Sequence, residues 1–212
     1  MRDYLDKIRK PDCSQSTQSK VLASAAIFIF GVLLGVFQKW IDSTGGEGLP
    51  YFILRWDPVN YFGRLAVWIL LAVIIAVFSK TPLRASINDF LFFIGMVGGY
   101  YVYCNFVLGF LPVSYMMIWV AFSFAAFFMA YVCWYAKGEG LPAVIITGGI
   151  LGVLLAQAIG LTQGIYVYNW MEVFTWIVGM IILWRKPKEM VLVLVISVIV
   201  AVLYQLFIPY WG

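Results

Sequence analysis

Long apolar segments without charge alternate with short polar connections along this chain. No charged residue lies between Asp89 and Lys137, and similar gaps run over 21–38, 140–171 and 190–212. A membrane-spanning helix needs about 20 mostly apolar residues, and lipid accepts only backbone that satisfies its own hydrogen bonds. The pattern therefore predicts an all-α, polytopic transmembrane bundle surrounded by the lipid bilayer.

The apolar segments divide into seven predicted helices. Thr81 and Pro82 provide an N-cap and a first-turn proline for the third helix. Glycines and Pro142 separate the fourth helix from the fifth. The predicted helices run from Lys20 to Trp40, Tyr61 to Ser79, Leu83 to Asn105, Ser114 to Ala136, Leu141 to Gly160, Ile165 to Trp184 and Glu189 to Ile208.

The basic residues predict the orientation of the bundle, because cytoplasmic loops of membrane proteins are enriched in Lys and Arg. With a cytoplasmic N-terminus and seven crossings, only Lys39, Arg55 and Arg64 of the 14 basic residues fall outside. The C-terminus then lies outside as well. Aromatic anchors are expected at both interfaces; they are Trp40, Trp170 and Trp211 on the outer side and Trp134 and Trp184 on the inner side.

The polar start of the chain is distinct from the rest. Residues 1–19 are predicted to form a cytoplasmic amphipathic tail, and residues 20–212 the seven-helix transmembrane domain. In the tail, Leu5 and Ile8 alternate with basic residues up to Pro11, which is typical of a short helix on a membrane surface.

One long connection, from Asp42 to Asn60, is unusually apolar because it contains 51–54 and Trp56. Such a segment favours one of two structures. It either lies in the membrane interface or closes as a lid over the outer end of the bundle.

The first and fifth predicted helices share the letters GVLL, at 31–34 and 152–155. The second and sixth also share a skeleton, in which Arg64 and Glu172 each stand four residues before a tryptophan. Two parallel three-helix repeats joined by the fourth helix, a 3+1+3 layout, would explain both matches and is a symmetry that transporters use. Short matches between apolar helices also arise by chance, so both explanations stay open.

Ionisable side chains within apolar spans are candidates for function, because they are costly unless paired or hydrated. Glu172 is the strongest candidate, and the repeat would place Arg64 at the corresponding depth. The other candidates toward the outer half are Asn169, Trp176, Gln157 and Asn105. The set predicts a substrate-binding pocket open to the outside; a structural ion pair with interhelical hydrogen bonds is the alternative.

Asp89 is predicted to be structural rather than functional. Ser86 stands at the spacing of a capping box, and Lys80 and Arg84 are nearby cationic partners. Small residues four apart, which let helices approach closely, are expected to serve packing; the pairs are Gly31 with Gly35, Gly95 with Gly99 and Gly148 with Gly152.

The composition excludes several classes of function. The chain has no histidine, which removes Ser-His-Asp triads and histidine-ligated zinc. One Glu and one distant Asp are too few for intramembrane hydrolysis. Because the basic residues sit in short loops rather than along one face, nucleic acid is not an expected partner. We therefore expect no enzyme, no cofactor and no metal site.

Three strings carry a resemblance: TPLRASINDFLFFIGMVGGYYVY from Thr81, SYMMIW from Ser114 and CWYAKGEG from Cys133. They resemble a family of small uncharacterised multi-pass membrane proteins of Gram-positive bacteria. The resemblance covers about a third of the chain and implies a location in the bacterial plasma membrane. It implies no activity.

Two functions are compatible with these features. The first is a small-solute transporter or solute-binding membrane component, supported by the outer polar candidates and the repeat. The second is an accessory or assembly subunit without catalytic activity, which binds another membrane protein or a second copy of this chain. It is supported by the lack of large soluble parts, the small-residue pairs and the smooth apolar helices.

Overall fold

The structure is a computed structural model that describes residues 2–45, 47–162 and 164–208. It is helical, apart from one two-stranded hairpin. The predicted anchor Trp211 and the end of the predicted membrane domain lie outside the described residues. The helices are α1 (Arg2–Ile8), α2 (Thr17–Thr44), α3 (Tyr51–Leu54), α4 (Pro58–Gly63), α5 (Ala66–Phe78), α6 (Pro82–Phe106), α7 (Val113–Trp134), α8 (Gly140–Ala158), α9 (Trp170–Ile182) and α10 (Pro187–Phe207); the strands are β1 (Ile159–Gly160) and β2 (Tyr166–Val167).

Five of these helices, namely α2, α6, α7, α8 and α10, are long and apolar enough to cross a membrane. They confirm the helical class and indicate a membrane protein. In the regions of the predicted second and sixth spans lie α5 and α9, which are apolar but shorter than predicted, with only 13 residues each. At 1.5 Å per residue each extends about 20 Å, less than the roughly 30 Å of a bilayer core.

The tightest packing joins α2 to α6 through glycines. A Cβ added at Gly31 would lie 2.2 Å from the Phe92 carbonyl oxygen, and one at Gly35 would lie 2.0 Å from that of Met96. Because Gly31 faces Phe92 and Gly35 faces Met96, the two helices run in parallel. Gly95 and Gly99 make the matching approach from α6.

The second close pair, α8 and α10, is built in the same way. Gly148 lies against Val193 and Ile196, and Gly152 lies against Ser197 and Val200. These helices are therefore also parallel. The three predicted small-residue pairs all serve packing within the chain, as expected.

The two short helices, α5 and α9, contact each other and run in parallel. Gly179 of α9 lies near Leu70 of α5 and against Leu151 and Leu154 of α8. The main apolar core lies at this meeting of α5, α8 and α9, where Leu70, Leu151 and Leu154 are buried.

The N-terminal segment docks on the bundle rather than standing apart from it. Ile8 is buried, and its carbonyl oxygen accepts a hydrogen bond from the Glu139 backbone nitrogen at 2.7 Å. Arg9 donates to the carbonyl oxygens of Val77 and Trp134, at 2.9 Å and 2.5 Å. The end of the bundle that holds α1 is called the α1 end below, and the opposite end, which holds α4, the α4 end.

Trp134 corrects one prediction, since it is a core residue and not an interfacial anchor. It is 1% exposed, its Nε1 donates to the Ser79 carbonyl oxygen at 2.7 Å, and Arg9 covers its ring at 4.1 Å. Trp170 and Trp184 are exposed, as anchors must be.

The predicted apolar connection folds into α3 and α4. Tyr51 and Phe52 of α3 are 83% and 68% exposed, which fits a segment lying in the membrane interface better than a closed lid. In α4, by contrast, Tyr61 is buried against the bundle.

Candidate solute-binding site

An ion pair joins the starts of the two short helices. Arg64 Nη1 lies 3.3 Å from Glu172 Oε2, and the Arg64 side chain is 15% exposed while that of Glu172 is fully buried. The structure thus brings together the two residues that the repeat pattern singled out. Their contact is compatible with both a solute site and a structural pair.

Local structure fixes each partner of this pair. Asn169 is the N-cap of α9, and its Oδ1 accepts a hydrogen bond from the Met171 backbone nitrogen at 2.8 Å. Glu172 therefore lies in the first turn of α9, where the helix dipole stabilises a negative charge. Arg64 lies between α4 and α5 with an extended backbone. Its guanidinium contacts Glu172 of α9.

A second hydrogen bond runs beside the ion pair and was missed by the sequence analysis. The Tyr61 hydroxyl lies 2.7 Å from Thr175 Oγ1, and Thr175 Oγ1 in turn donates to the Met171 carbonyl oxygen at 2.8 Å. Thr175 follows Glu172 by three residues in α9, so helical spacing was a signal that could have identified it. No such signal marks Tyr61, because Arg64 lies outside α4.

The candidate Gln157 belongs to a neighbouring contact between α8 and α10. Its Nε2 donates to the Tyr204 hydroxyl at 3.0 Å. The sequence analysis missed Gln205, whose Nε2 donates to the carbonyl oxygens of Ala156 and Ile159 at 2.9 Å and 2.6 Å. These amides hold the end of α8 and the start of the hairpin.

Trp176 and Asn105 occupy different surroundings. Trp176 lies on α9 and packs against α8. Its buried Nε1 has no hydrogen-bond partner among the described residues. Asn105 is exposed near the end of α6, a helix whose main contacts are with α2, α7 and α5. Asn169, Glu172 and Trp176 thus lie on α9 or at its start, and Arg64 contacts Glu172. Asn105 lies on a different helix, α6.

Asp89 corrects a second prediction, because its expected partners bind elsewhere. The Arg84 guanidinium contacts the Lys20 carbonyl oxygen at 2.7 Å, Ser24 Oγ, and Asn88 Oδ1 at 3.2 Å. Lys80 pairs with Asp12 at 3.1 Å. The Ser86 hydroxyl bonds to the Pro82 carbonyl oxygen, as a Ser within a helix commonly does.

A basic recess of about 350 Å³ opens at the α1 end. Arg9, Lys10, Lys80 and Lys137 contribute to its lining, with Asp12 as the acidic member. Hydrogen bonds from the Ser14 side chain and backbone, followed by the Lys80 ammonium, lower the pKa of Asp12 to about 2. The acid is thus fixed as an anion that holds the N-terminal segment near Lys80.

The loop before α9 adds a tyrosine pair at the α4 end. The Tyr166 hydroxyl donates to that of Tyr168 at 3.2 Å. Burial, followed by this hydrogen bond, raises the pKa of Tyr168 to about 12. The Tyr168 phenol therefore stays a neutral hydrogen-bonding group at physiological pH.

The described residues contain no cluster of three or more His, Cys, Asp or Glu side chains that could hold a metal ion. Comparisons with protein-family models, curated proteins and solved structures found no match to this chain. The chemistry of the site therefore has to be argued from its own residues. A guanidinium and a carboxylate in a low-dielectric setting can bind groups of opposite charge.

Proposed function

We propose that this chain is a plasma-membrane transporter or solute-binding component that recognises a small zwitterion at Arg64 and Glu172. The observation that carries the proposal is the buried contact of 3.3 Å between these residues at the starts of two short, parallel, apolar helices. Short or interrupted spans at corresponding positions are a feature of transporter binding sites.

The proposal includes seven membrane crossings, with the N-terminus in the cytoplasm and the α4 end outside. In this arrangement α4 and the hairpin extend the two short helices to the surface. Asp57 begins this extension with a left-handed backbone (φ 52°), and Arg64 ends it with an extended one. The ion pair then lies below the outer surface, covered by α4 and the hairpin.

The chemistry of the pair favours a zwitterion over a singly charged solute. Breaking a buried ion pair leaves two charges that each need a partner. A solute with a carboxylate and an ammonium supplies both, because the guanidinium can bind the carboxylate in a bidentate manner and Glu172 can accept from the ammonium. A solute with one charge can pair with only one of the two residues. The other residue then keeps its charge in a medium of low dielectric constant.

The helix contacts support the 3+1+3 repeat in two respects and oppose it in one. Both proposed repeats pair their first and third helices in parallel through glycines, and both have a 13-residue middle helix. However, α5 packs mainly on the third helix of its unit, whereas α9 packs mainly on the first helix of its own. The proposed repeats therefore differ in how they hold the middle helix.

The alternative, an accessory or assembly subunit, stays a prediction. It was based on the lack of large soluble parts, on the smooth apolar helices and on the small-residue pairs, and these pairs are used in packing α2 on α6 and α8 on α10. The glycine contacts therefore give no separate support to a surface for a partner.

A thermal-shift screen of the purified full chain tests the proposal. Zwitterionic amino acids and betaines are added singly, with their singly charged analogues as comparisons. We expect at least one zwitterion to raise the melting temperature, and expect Glu172→Gln and Arg64→Ala to abolish the shift. Glu189→Gln is the matched control, because Glu189 also lies in the first turn of a helix and pairs with an arginine, at 2.9 Å, but at the α1 end. The proposal fails if both site variants respond to every solute as the parent does.

A further inference from the structure

Asp89 is a second carboxylate buried among the apolar helices, and the proposed solute site does not use it. Its side chain lies on α6 with 2% of the residue exposed. Oδ1 has no hydrogen-bond partner among the described residues. None of the ion pairs within that part of the chain includes Asp89.

The face of α6 that carries Asp89 packs against α7. Ala85, one turn before, lies in a cluster with Ala130 and Trp134. Because residues four apart share a face of a helix, Asp89 faces the same neighbour.

The charged and titratable groups around Asp89 can be followed helix by helix. On α7, Cys133 lies within electrostatic reach of the carboxylate. Helix α5 has no titratable residue. On α2, Lys39 and Asp42 pair with each other at 2.7 Å near the α4 end. Lys80 and Arg84 are held by the contacts described above, so no cation among the described residues pairs with Asp89.

A carboxylate in this position is unfavourable, because an unpaired charge within a bilayer costs several kcal/mol. Protonation removes the charge and leaves a group that is small enough to remain buried. We propose that Asp89 is a proton-binding site, which takes up a proton from water when α6 and α7 separate and holds it when they close. The step is the reversible addition of one proton to one carboxylate oxygen and involves no other reactant.

This site is independent of the proposed solute site, since Asp89 and Glu172 lie on different helices and have different neighbours. A transporter with both would carry a proton site in addition to a solute site. Loss of either one leaves the other to be measured separately.

Infrared spectroscopy of the full chain in lipid nanodiscs tests the proposal at pH 7. A protonated carboxylic acid has a carbonyl band separate from those of carboxylates. We expect this band in the parent, a shift of the band in D2O, its loss in Asp89→Asn and its retention in Glu172→Gln. Absence of the band from the parent, or its persistence in Asp89→Asn, overturns the proposal.

A second measurement uses the parent alone and so does not depend on folding of the variant. Dicyclohexylcarbodiimide enters lipid and reacts with protonated carboxyls. The acid proton moves to a nitrogen of the carbodiimide and the carboxyl oxygen bonds to its central carbon, so that an adduct forms without a leaving group. Peptide mass spectrometry should locate the adduct on Asp89. Modification confined to other carboxylates overturns the proposal.

Discussion

Glu172 and Asp89 are both buried carboxylates on apolar helices, yet their surroundings are opposite. Glu172 lies at a helix start with the Arg64 guanidinium at 3.3 Å, whereas Asp89 lies within α6 and forms no ion pair among the described residues. Burial is nearly equal, at 0% and 2% exposed. On our proposal, the partner rather than burial decides whether a buried carboxylate is held as an anion or requires a proton.

Of the single substitutions that test this comparison, Arg64→Ala should change the free energy of unfolding most. Arg64→Ala leaves Glu172 buried without its cation and should lower the free energy of unfolding by about 3–5 kcal/mol. The double variant Arg64→Ala/Glu172→Gln should recover most of the loss, because no buried charge remains. Equilibrium unfolding in mixed micelles gives both values, with Arg55→Ala as the control. Equal losses in the single and double variants would contradict the assignment.

The packing of α6, the helix that carries Asp89, on α2 can be tested at two adjacent glycines. Gly99→Ala places a Cβ 2.2 Å from the Val32 carbonyl oxygen and should cost about 1–3 kcal/mol through overpacking. Gly98 has no atom within 4 Å of an added Cβ. Gly98→Ala should therefore be neutral or stabilise by up to about 1 kcal/mol through helix propensity. Equilibrium unfolding in mixed micelles measures both changes. Equal changes in the free energy of unfolding of the two variants would contradict the close contact of α2 with α6.

Asp89→Asn should change stability by less than about 1 kcal/mol, because the amide replaces a neutral group of similar size. This expectation contrasts with the effect of Arg64→Ala and follows from the proposed proton site. A loss of several kcal/mol in the same assay would show that Asp89 is a charged structural residue with an essential partner.

The smallest expected effect is the acid titration of Asp12, whose side chain is 43% exposed. Its folded-state pKa of about 2 lies below the ordinary value of about 3.9, so its stabilising contribution is complete above about pH 4. The contribution is lost as the pH falls toward 2. NMR titration of ¹³C-labelled aspartate should show this low midpoint, and Ser14→Ala should move it upward. An unchanged midpoint in Ser14→Ala would contradict the role of the serine hydrogen bonds.

The sequence could predict the helices because uncharged length is a direct requirement of lipid. It also identified Thr81 as a cap, and the structure confirms this through its hydrogen bond from the Arg84 backbone nitrogen at 3.2 Å. A sequence pattern shared between two distant helices also predicted that Arg64 and Glu172 lie close together. These successes rest on local rules or on internal similarity.

The failures concern side chains whose partners come from distant parts of the chain. Trp134 was expected in the interface, but Arg9 and Ser79 enclose it. Asp89 was expected to pair with Arg84, which instead reaches Ser24 on another helix. Spacing along one helix cannot show which neighbouring helix offers a better acceptor, so such partners follow only from tertiary packing.

The proposed solute site requires that α5 and α9 cross the membrane. Single cysteines can be introduced into a cysteine-free chain at Glu47, Leu108 and Thr162 on one side, and at Lys80, Glu139 and Lys186 on the other. In intact cells, a membrane-impermeant thiol reagent should label the first three positions, and the second three only after permeabilisation. Labelling of Thr162 and Lys186 from the same side would contradict the account, because α9 would then not span and its ion pair would not lie within the membrane.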